Sequence, residues 1–260
     1  MRRSKRSRKD RLRRGIYILP NIFTSLNIFF GFYAVIASVN GKFVSAAYAV
    51  YIAAVFDLLD GKIARATNTT SRFGVEYDSL ADLVSFGLAP GLMMYLWALK
   101  PMGRIGWLAA FLFMVCGALR LARFNTQVGT VSSKYFVGLP IPAAAGMTAA
   151  TLLLFHRLGL DAGSQRLLML LMLYALAFLM VSSIKYPSFK NAELFRSMNF
   201  NVLVAAILVL IFIAAQPSIT LFSIGSMYVV SGPVVTLWRI KKAKTVKTES
   251  REANKPRPLP

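Results

Sequence analysis

The chain has 260 residues, of which 31 are Lys or Arg, 10 are Asp or Glu and one is His, so its formal net charge is +21. Hydrophobic residues make up 56% of the chain and charged residues only 16%, against roughly 25% charged in an ordinary soluble domain. This composition excludes general disorder, a disulfide scaffold (Cys116 is the single cysteine) and, in practice, a nucleic-acid partner, because a basic nucleic-acid binder would be polar over most of its length.

The apolar residues fall into eight stretches of roughly 17 to 25 residues, each long enough to cross about 30 Å of hydrocarbon as a helix. They cover residues 20–39, 44–65, 73–98, 105–125, 138–156, 164–183, 200–215 and 218–237. Small residues within them permit close contact between helices. The sequence therefore predicts an all-α, polytopic integral membrane bundle of eight spans.

Basic residues are concentrated at one set of span ends. If the N-terminus is cytoplasmic, 26 of the 31 Lys and Arg residues lie on the cytoplasmic side of these eight spans. The positive-inside rule then predicts that both termini face the cytoplasm, as in a bacterial-type inner membrane. The basic ends of the chain either contact anionic membrane lipid or only set this topology.

Five of the ten acidic residues lie close together in the second and third apolar stretches: Asp57, Asp60, Glu76, Asp78 and Asp82. The spacings of three and four residues place each Asp pair on one face of its helix. In an antiparallel hairpin that turns at 68–71, Asp60 lies level with Asp78, and Asp57 lies level with Asp82. Four carboxylates are therefore expected to meet at two depths.

Four carboxylates in a partly buried volume cannot all remain ionised and unpaired, so either some are protonated or a cation is bound. All-oxygen ligands suit Mg²⁺ or Mn²⁺, with Ca²⁺ as the alternative, rather than Zn²⁺. Two divalent ions on four carboxylates are typical of phosphoryl chemistry. An Asp–Arg structural network and an ion pathway through the bundle are the competing interpretations.

Small and basic residues complete a pattern around these carboxylates. It reads Asp57-x2-Asp60-Gly61-x2-Ala64-Arg65-x8-Gly74-x3-Asp78-x3-Asp82. This pattern resembles the complete signature of the CDP-alcohol phosphatidyltransferase family. The resemblance implies a six-helix core, usually in a homodimer, with two C-terminal transmembrane helices added. The chain would then comprise a basic cytoplasmic segment (1–19), a catalytic core (20–183) and a cytoplasmic loop with two further spans (184–238). Composition predicts that the basic tail (239–260) is disordered.

The resemblance also implies roles for the residues of the signature. Divalent metal ions would be held by Asp57, Asp60, Asp78 and Asp82. Asp82 would in addition be the general base that deprotonates the acceptor alcohol. The CDP group would contact Asp60, Gly61, Ala64, Arg65, Gly74 and Asp78. Thr24 and Asn27, in the similar segment Pro20-Asn21-x2-Thr24-x2-Asn27, would reach the diphosphate.

The acceptor is inferred from other segments, which are similar to the membrane-integral branch of the family that makes phosphatidylserine from CDP-diacylglycerol and L-serine. Arg120, Arg123, Asn125 and Lys134 are candidates to bind serine or phosphate, because a carboxylate favours a guanidinium partner. Positive-inside anchoring is the competing role for the arginines. Glycerol 3-phosphate or an inositol phosphate as acceptor, a cation transporter and a non-catalytic membrane anchor are the alternative functions.

Overall fold

A computed structural model describes residues 3–67, 69, 71–127, 135–161, 163–187 and 200–253. Eight helical rods account for most of these residues, one for each predicted apolar stretch, which confirms the all-α bundle. Seven of the rods are the regular helices α1 (Arg3–Val39), α2 (Phe43–Ala66), α5 (Arg104–Gln127), α6 (Ile141–Arg157), α7 (Arg166–Val181), α8 (Phe200–Ala215) and α9 (Pro217–Ala253).

The remaining rod, the third in chain order, changes its helical pitch along its length. It begins as α3 (Arg72–Asp82), widens into π-helical turns over Leu83–Leu88 and resumes as α4 (Ala89–Met94). A second π-helical segment, Tyr95–Leu99, and a 3₁₀ turn, Lys100–Met102, complete it. Pro90 has no N–H to donate to the carbonyl four residues earlier, which favours an irregular turn here. The first wide turn therefore follows directly after Asp82.

Within the part of the chain that the structure describes, five helices are long and apolar enough to cross a membrane, which makes the protein an integral membrane protein. They are Leu19–Val39, Phe43–Ala66, Arg72–Met102, Arg104–Thr126 and Pro217–Thr236. Arg166–Val181 is a shorter apolar helix. The total of eight spans stays a prediction.

Both ends of the bundle extend further as helix than the apolar stretches do. The first helix begins at Arg3, and the last continues through Ala253, although composition predicts a disordered tail from residue 239. The physical reason is local, because Lys, Arg, Glu and Ala between 239 and 253 are good helix formers and let an existing helix propagate. The division into four segments stays a prediction.

A short antiparallel sheet joins two segments that lie between helices, and no strand was predicted there. β1 (Tyr135–Val137) pairs with β2 (Lys185–Pro187), with Phe136 opposite Tyr186. Gly138 follows β1 at a φ of +81°, and a Cβ atom there would overlap the carbonyl oxygen of Met180. Tyr186 is completely buried. The sheet therefore ties the segment before α6 to the segment after α7.

The first helix packs closely against the third rod at a glycine, Gly31. A Cβ atom at Gly31 would overlap the side chain of Ser85 and lie 2.7 Å from its Cα atom. The Ser85 hydroxyl donates a hydrogen bond to the backbone carbonyl of Asn27 at 2.9 Å. Together these contacts set α1 against the helix that carries Asp82.

Replacing Gly31 with Ala is expected to lower the free energy of unfolding by about 1–3 kcal/mol, since the methyl group overpacks a backbone contact. Gly146→Ala is the matched control, because its nearest neighbour, an atom of the Tyr51 ring, lies at an ordinary 3.6 Å. We expect this control to be neutral or to stabilise by about 1 kcal/mol. Thermal unfolding in detergent compares the two, and equal melting temperatures would contradict the close contact.

Candidate active site

The first turn of α3 is capped by a residue of the turn that joins α2 to α3. The Ser71 hydroxyl accepts a hydrogen bond from the Gly74 N–H at 3.0 Å, so Ser71 is the N-cap of α3. A Cβ atom at Gly74 would lie 3.2 Å from that hydroxyl and 3.7 Å from the Asn21 side-chain oxygen. Gly74 therefore allows α1 and the cap to approach each other.

The four aspartates meet between α2 and α3 as the hairpin geometry predicted. Asp57, Asp60 and Asp78 each offer a carboxylate oxygen within 4.8 Å of the others. Asp82 lies outside that group of three but within hydrogen-bonding reach of Asp57. Asp60 and Asp82 are buried, whereas Asp57 and Asp78 are half-buried. The structure thus forms a three-carboxylate cluster with the fourth carboxylate beside it.

The donor set of the cluster fits a divalent metal ion. All three side chains offer oxygen atoms, which Mg²⁺, Mn²⁺ and Ca²⁺ prefer. One of them, Asp78 Oδ1, is buried and has no hydrogen-bond partner among the described residues. Such an oxygen carries a desolvation cost that a bound cation would offset. Asp57, Asp60 and Asp78 could therefore hold a metal ion.

Two polar residues of α1 are hydrogen-bonded to aspartates. The Thr24 hydroxyl donates to Asp60 Oδ2 at 2.8 Å, and the Asn27 amide donates to Asp82 Oδ1 at 3.3 Å. Both α1 residues are buried. These contacts give Thr24 and Asn27 a carboxylate-orienting role that the sequence did not predict. Their predicted contact with a diphosphate stays a prediction.

An open pocket of about 170 Å³ lies beside the cluster, at the end of the hairpin that holds the turn. Seven of the eight residues predicted to bind CDP line it: Thr24, Asp60, Gly61, Ala64, Arg65, Gly74 and Asp78. The eighth, Asn27, lies deeper, against Asp82. A Cβ atom at Gly61 would stand 3.6 Å from the Arg65 guanidinium. Small residues therefore form the walls, and one guanidinium and two carboxylates supply the charge.

The three described residues among those predicted to bind serine or phosphate separate in the structure. Arg120 is only 9% exposed and interacts electrostatically with Asp82 and Asp57. Arg123 donates a long hydrogen bond of 3.5 Å to the carbonyl of Val181, on the side of α7. Lys134 lies outside the described residues. Arg120 is thus the one of the three described candidates that an interaction places at the carboxylates.

Asn125 contacts the third rod rather than the carboxylates. Its side-chain amide donates a hydrogen bond to the Ser79 hydroxyl at 3.0 Å. The contact joins the end of α5 to α3, one residue after Asp78. Asn125 therefore holds the helix that carries two of the aspartates, and its role in binding an acceptor stays a prediction.

The sequence interpretation assigned no site role to two aromatic residues that lie against each other, Tyr186 and Tyr228. Tyr228 of α9 interacts electrostatically with Arg120, and its ring centroid lies 5.6 Å from that of Tyr186. Tyr186 directly precedes Pro187, which gives it a local pattern in the sequence. Tyr228 lies in an apolar stretch with no local pattern to distinguish it. Only the packing of α9 on the core brings it here.

Comparison with known proteins agrees with this site. Residues 17–184 match the sequence profile of the CDP-alcohol phosphatidyltransferase family. A CDP-diacylglycerol–serine O-phosphatidyltransferase of Helicobacter pylori is 36% identical over 238 residues, which cover 92% of this chain and 98% of the relative. The enzyme of the same name from Methanocaldococcus jannaschii is 35% identical over 178 residues, or 68% of this chain and 78% of the relative.

An archaetidylserine synthase of Methanothermobacter thermautotrophicus is also similar, with 37% identity over 171 residues. That match covers 65% of this chain and 69% of the relative. The names of these three relatives all specify serine as part of the product or the substrate. The similarity to the Helicobacter pylori enzyme extends past the family profile, because 238 aligned residues exceed the span of 17–184.

Proposed function

This chain belongs to the CDP-alcohol phosphatidyltransferase family, and we propose that it transfers the phosphatidyl group of CDP-diacylglycerol to the hydroxyl group of L-serine. The products are phosphatidylserine and CMP. The observation that carries the proposal is the aspartate cluster at a pocket lined by the family's signature residues. The names of the similar proteins support serine as the acceptor.

The pocket suits the head group of a lipid whose acyl chains stay in the bilayer. Arg65 lines this pocket, and we propose that its guanidinium contacts phosphate oxygens, with which Arg forms strong paired hydrogen bonds. Gly61, Ala64 and Gly74 leave room for a nucleotide, because larger side chains would fill the walls. We expect Thr24 to keep the Asp60 carboxylate turned toward this pocket through its hydrogen bond.

Asp57, Asp60, Asp78 and Asp82 would hold divalent ions, and we propose two such ions in the working enzyme. When bound, ions of this kind neutralise the diphosphate and stabilise the charge that develops on leaving CMP. Mg²⁺ and Mn²⁺ are the favoured ions, with Ca²⁺ as the alternative. The role of the carboxylates themselves is to offer oxygen ligands in a partly buried site.

We propose that Asp82 acts as the general base. One of its oxygens accepts a hydrogen bond from the Asn27 amide, which would hold the carboxylate in position to take the proton of the serine hydroxyl. As the proton passes to Asp82, the serine oxygen forms a bond to the phosphorus that carries the diacylglycerol oxygen. The bond from that phosphorus to the oxygen of CMP breaks, and CMP leaves with the electron pair. Direct transfer needs no covalent enzyme intermediate.

Arg120 is the residue that fits the acceptor. Serine carries a carboxylate, for which a buried guanidinium is the preferred partner. Arg120 is buried and lies near Asp82, so a carboxylate bound to it would bring the serine hydroxyl toward the base. Arg123, Asn125 and Lys134 complete the proposed acceptor side. The alternative acceptors carry phosphate, which Arg would also bind.

We also propose the arrangement of the protein in its membrane. The distribution of Lys and Arg supports cytoplasmic termini and a cytoplasmic active site, in a bacterial-type inner membrane. The basic ends of the chain favour contact with anionic lipid. Membership of the family supports a homodimer.

The acceptor is tested by CMP release from CDP-diacylglycerol in mixed micelles. We expect kcat/KM for L-serine to exceed that for glycerol 3-phosphate, inositol phosphate and ethanolamine by about 100-fold, since only serine offers both a hydroxyl and a carboxylate to Arg120. Ethanolamine is the sharpest comparison, because it is serine without its carboxylate. Equal rates with serine and another acceptor would contradict the proposal, and cation flux without CDP-lipid in proteoliposomes would support a transporter instead.

A further inference from the structure

We propose that Ser85 is a positioning residue for the general base and that it acts through Asn27. The Asn27 amide holds the Asp82 carboxylate, and the Ser85 hydroxyl holds the turn of α1 from which that amide extends. The inference rests on the proposed function in one respect, that Asp82 takes the proton of the acceptor hydroxyl. It assigns the π-helical turns after Asp82 a part in the chemical step.

Two hydrogen bonds of opposite direction join α1 to the third rod. The Asn27 side-chain amide donates to Asp82 Oδ1 at 3.3 Å, and the Ser85 hydroxyl donates to the backbone carbonyl of Asn27 at 2.9 Å. Asn27 and Ser85 are completely buried and Asp82 is 8% exposed, so water competes little for either bond. The third rod therefore holds one residue of α1 both at its backbone and at its side chain.

The direction of the Ser85 hydrogen bond differs from that of other serines in these helices. The hydroxyls of Ser38 and Ser79 each donate to the carbonyl four residues earlier in their own helix, which is a common arrangement for serine within a helix. Ser85 lies in the π-helical turns, and its hydroxyl donates to Asn27 of another helix. The irregular turn thus directs a buried donor at α1.

Gly31 leaves the space that this contact needs. It lies one helical turn after Asn27 on α1, and a Cβ atom there would overlap the Ser85 hydroxyl group. The hydroxyl can therefore reach the Asn27 carbonyl only because no side chain stands on that turn. The hydrogen bond and the close contact together fix the depth of Asn27 against the third rod.

The Asn27 amide has little else to hold it in place. Its Oδ1 is buried and has no hydrogen-bond partner among the described residues, so the amide is anchored by its bond to Asp82 and by its own backbone. A shift of that backbone would pass directly to the carboxylate. Proton transfer requires the base within hydrogen-bonding reach of the hydroxyl, so such a shift slows the chemical step rather than weakening substrate binding.

The test compares Ser85→Ala with Ser38→Ala. Ser38 is the matched control, because it is equally buried and donates to a backbone carbonyl at 2.7 Å, but lies near the end of α1 at Val39. We expect Ser85→Ala to lower the kcat of serine-dependent CMP release about tenfold, since misplacement by about 1 Å can cost about 100-fold. Both KM values should stay within about threefold of the wild type. Ser38→Ala should leave kcat and both KM values unchanged.

A double-mutant cycle shows whether the effect passes through Asn27. Asn27→Ala should itself lower kcat at least as far as Ser85→Ala does. In the Asn27→Ala background, Ser85→Ala should have no further effect on kcat, because the amide that it positions is gone. An unchanged kcat in Ser85→Ala, or an equal fall in both backgrounds, would overturn the inference. A rise in both KM values with a melting temperature below that of Ser38→Ala would also overturn it, since it would indicate general damage.

Further measurements keep the outcome clear. If Ser85→Ala does not fold, Ser85→Cys replaces the hydroxyl with a weak donor, and the same selective fall in kcat is expected. No change in Ser85→Cys would then overturn the inference. Full activity in Asp82→Asn would reject the general base, and the inference with it. If the wild type uses another acceptor instead of serine, the proposed acceptor is wrong, and the same comparison of kcat with that acceptor still tests Ser85.

Discussion

Replacing Asp82 with Asn is expected to lower the kcat of serine-dependent CMP release by about 10³-fold, within the range that a positioned general base contributes. Asn has nearly the same shape as Asp and can still accept the hydrogen bond from Asn27, so the local packing should survive. It cannot take the proton from the serine hydroxyl. The KM for CDP-diacylglycerol should therefore change by no more than about threefold.

Glu76→Gln is the matched control for this substitution. Glu76 lies on the same helix, is exposed and loses one negative charge in the same way. We expect it to retain nearly all of the wild-type kcat, because Glu76 is outside the group of carboxylates that meet between the helices. If Asp82→Asn kept more than a tenth of the wild-type kcat, Asp82 could not be the general base.

Removing divalent ions with EDTA is expected to lower CMP release by about 10³-fold or more, with recovery on addition of Mg²⁺ or Mn²⁺. The reason is electrostatic, because the transfer places negative charge on leaving CMP beside three carboxylates that would otherwise repel it. Titration of Mg²⁺, Mn²⁺ and Ca²⁺ into the stripped protein would identify the ion. Full activity in EDTA would contradict the metal site.

The substitution Asp78→Asn tests whether Asp78 is a ligand of the metal ion. Asp78 offers the buried, unpartnered oxygen of the described cluster, so its loss should raise the Mn²⁺ concentration for half-maximal binding about tenfold or more. Electron paramagnetic resonance of Mn²⁺ measures that binding without relying on turnover. Asp161→Asn, an exposed carboxylate in the loop before α7, is the control and should bind Mn²⁺ as the wild type does.

Local spacing explains why the acidic cluster could be predicted. Residues three or four positions apart share a helix face, and a short turn places two helices antiparallel, so the depth of each aspartate followed from its number. The structure brings Asp57 to Asp82 and Asp60 to Asp78, as that arithmetic requires. The eight helices were likewise predictable, because an apolar stretch of this length has few alternatives to a helix.

The spacing of residues along the chain could not predict contacts between distant segments. The hydrogen bond from Asn27 to Asp82 joins residues 55 positions apart. The sequence had predicted a diphosphate, not Asp82, as the group that Asn27 contacts. The strand pair β1–β2 is only three residues long on each side, too short to show an alternating pattern. The helical continuation through Ala253 was missed because composition alone did not show that α9 would propagate into the basic tail.

The sequence by itself determined that this is a helical membrane protein with four aspartates on a hairpin, because helix periodicity and hydrophobic length act locally along the chain. Only the tertiary structure decided which groups surround those aspartates. Thr24, Asn27 and Arg120 each reach the cluster from a helix whose rotation and depth depend on packing. Close contacts at Gly31 and Gly232 set that packing, because a backbone can approach a side chain there only when no Cβ atom stands between them.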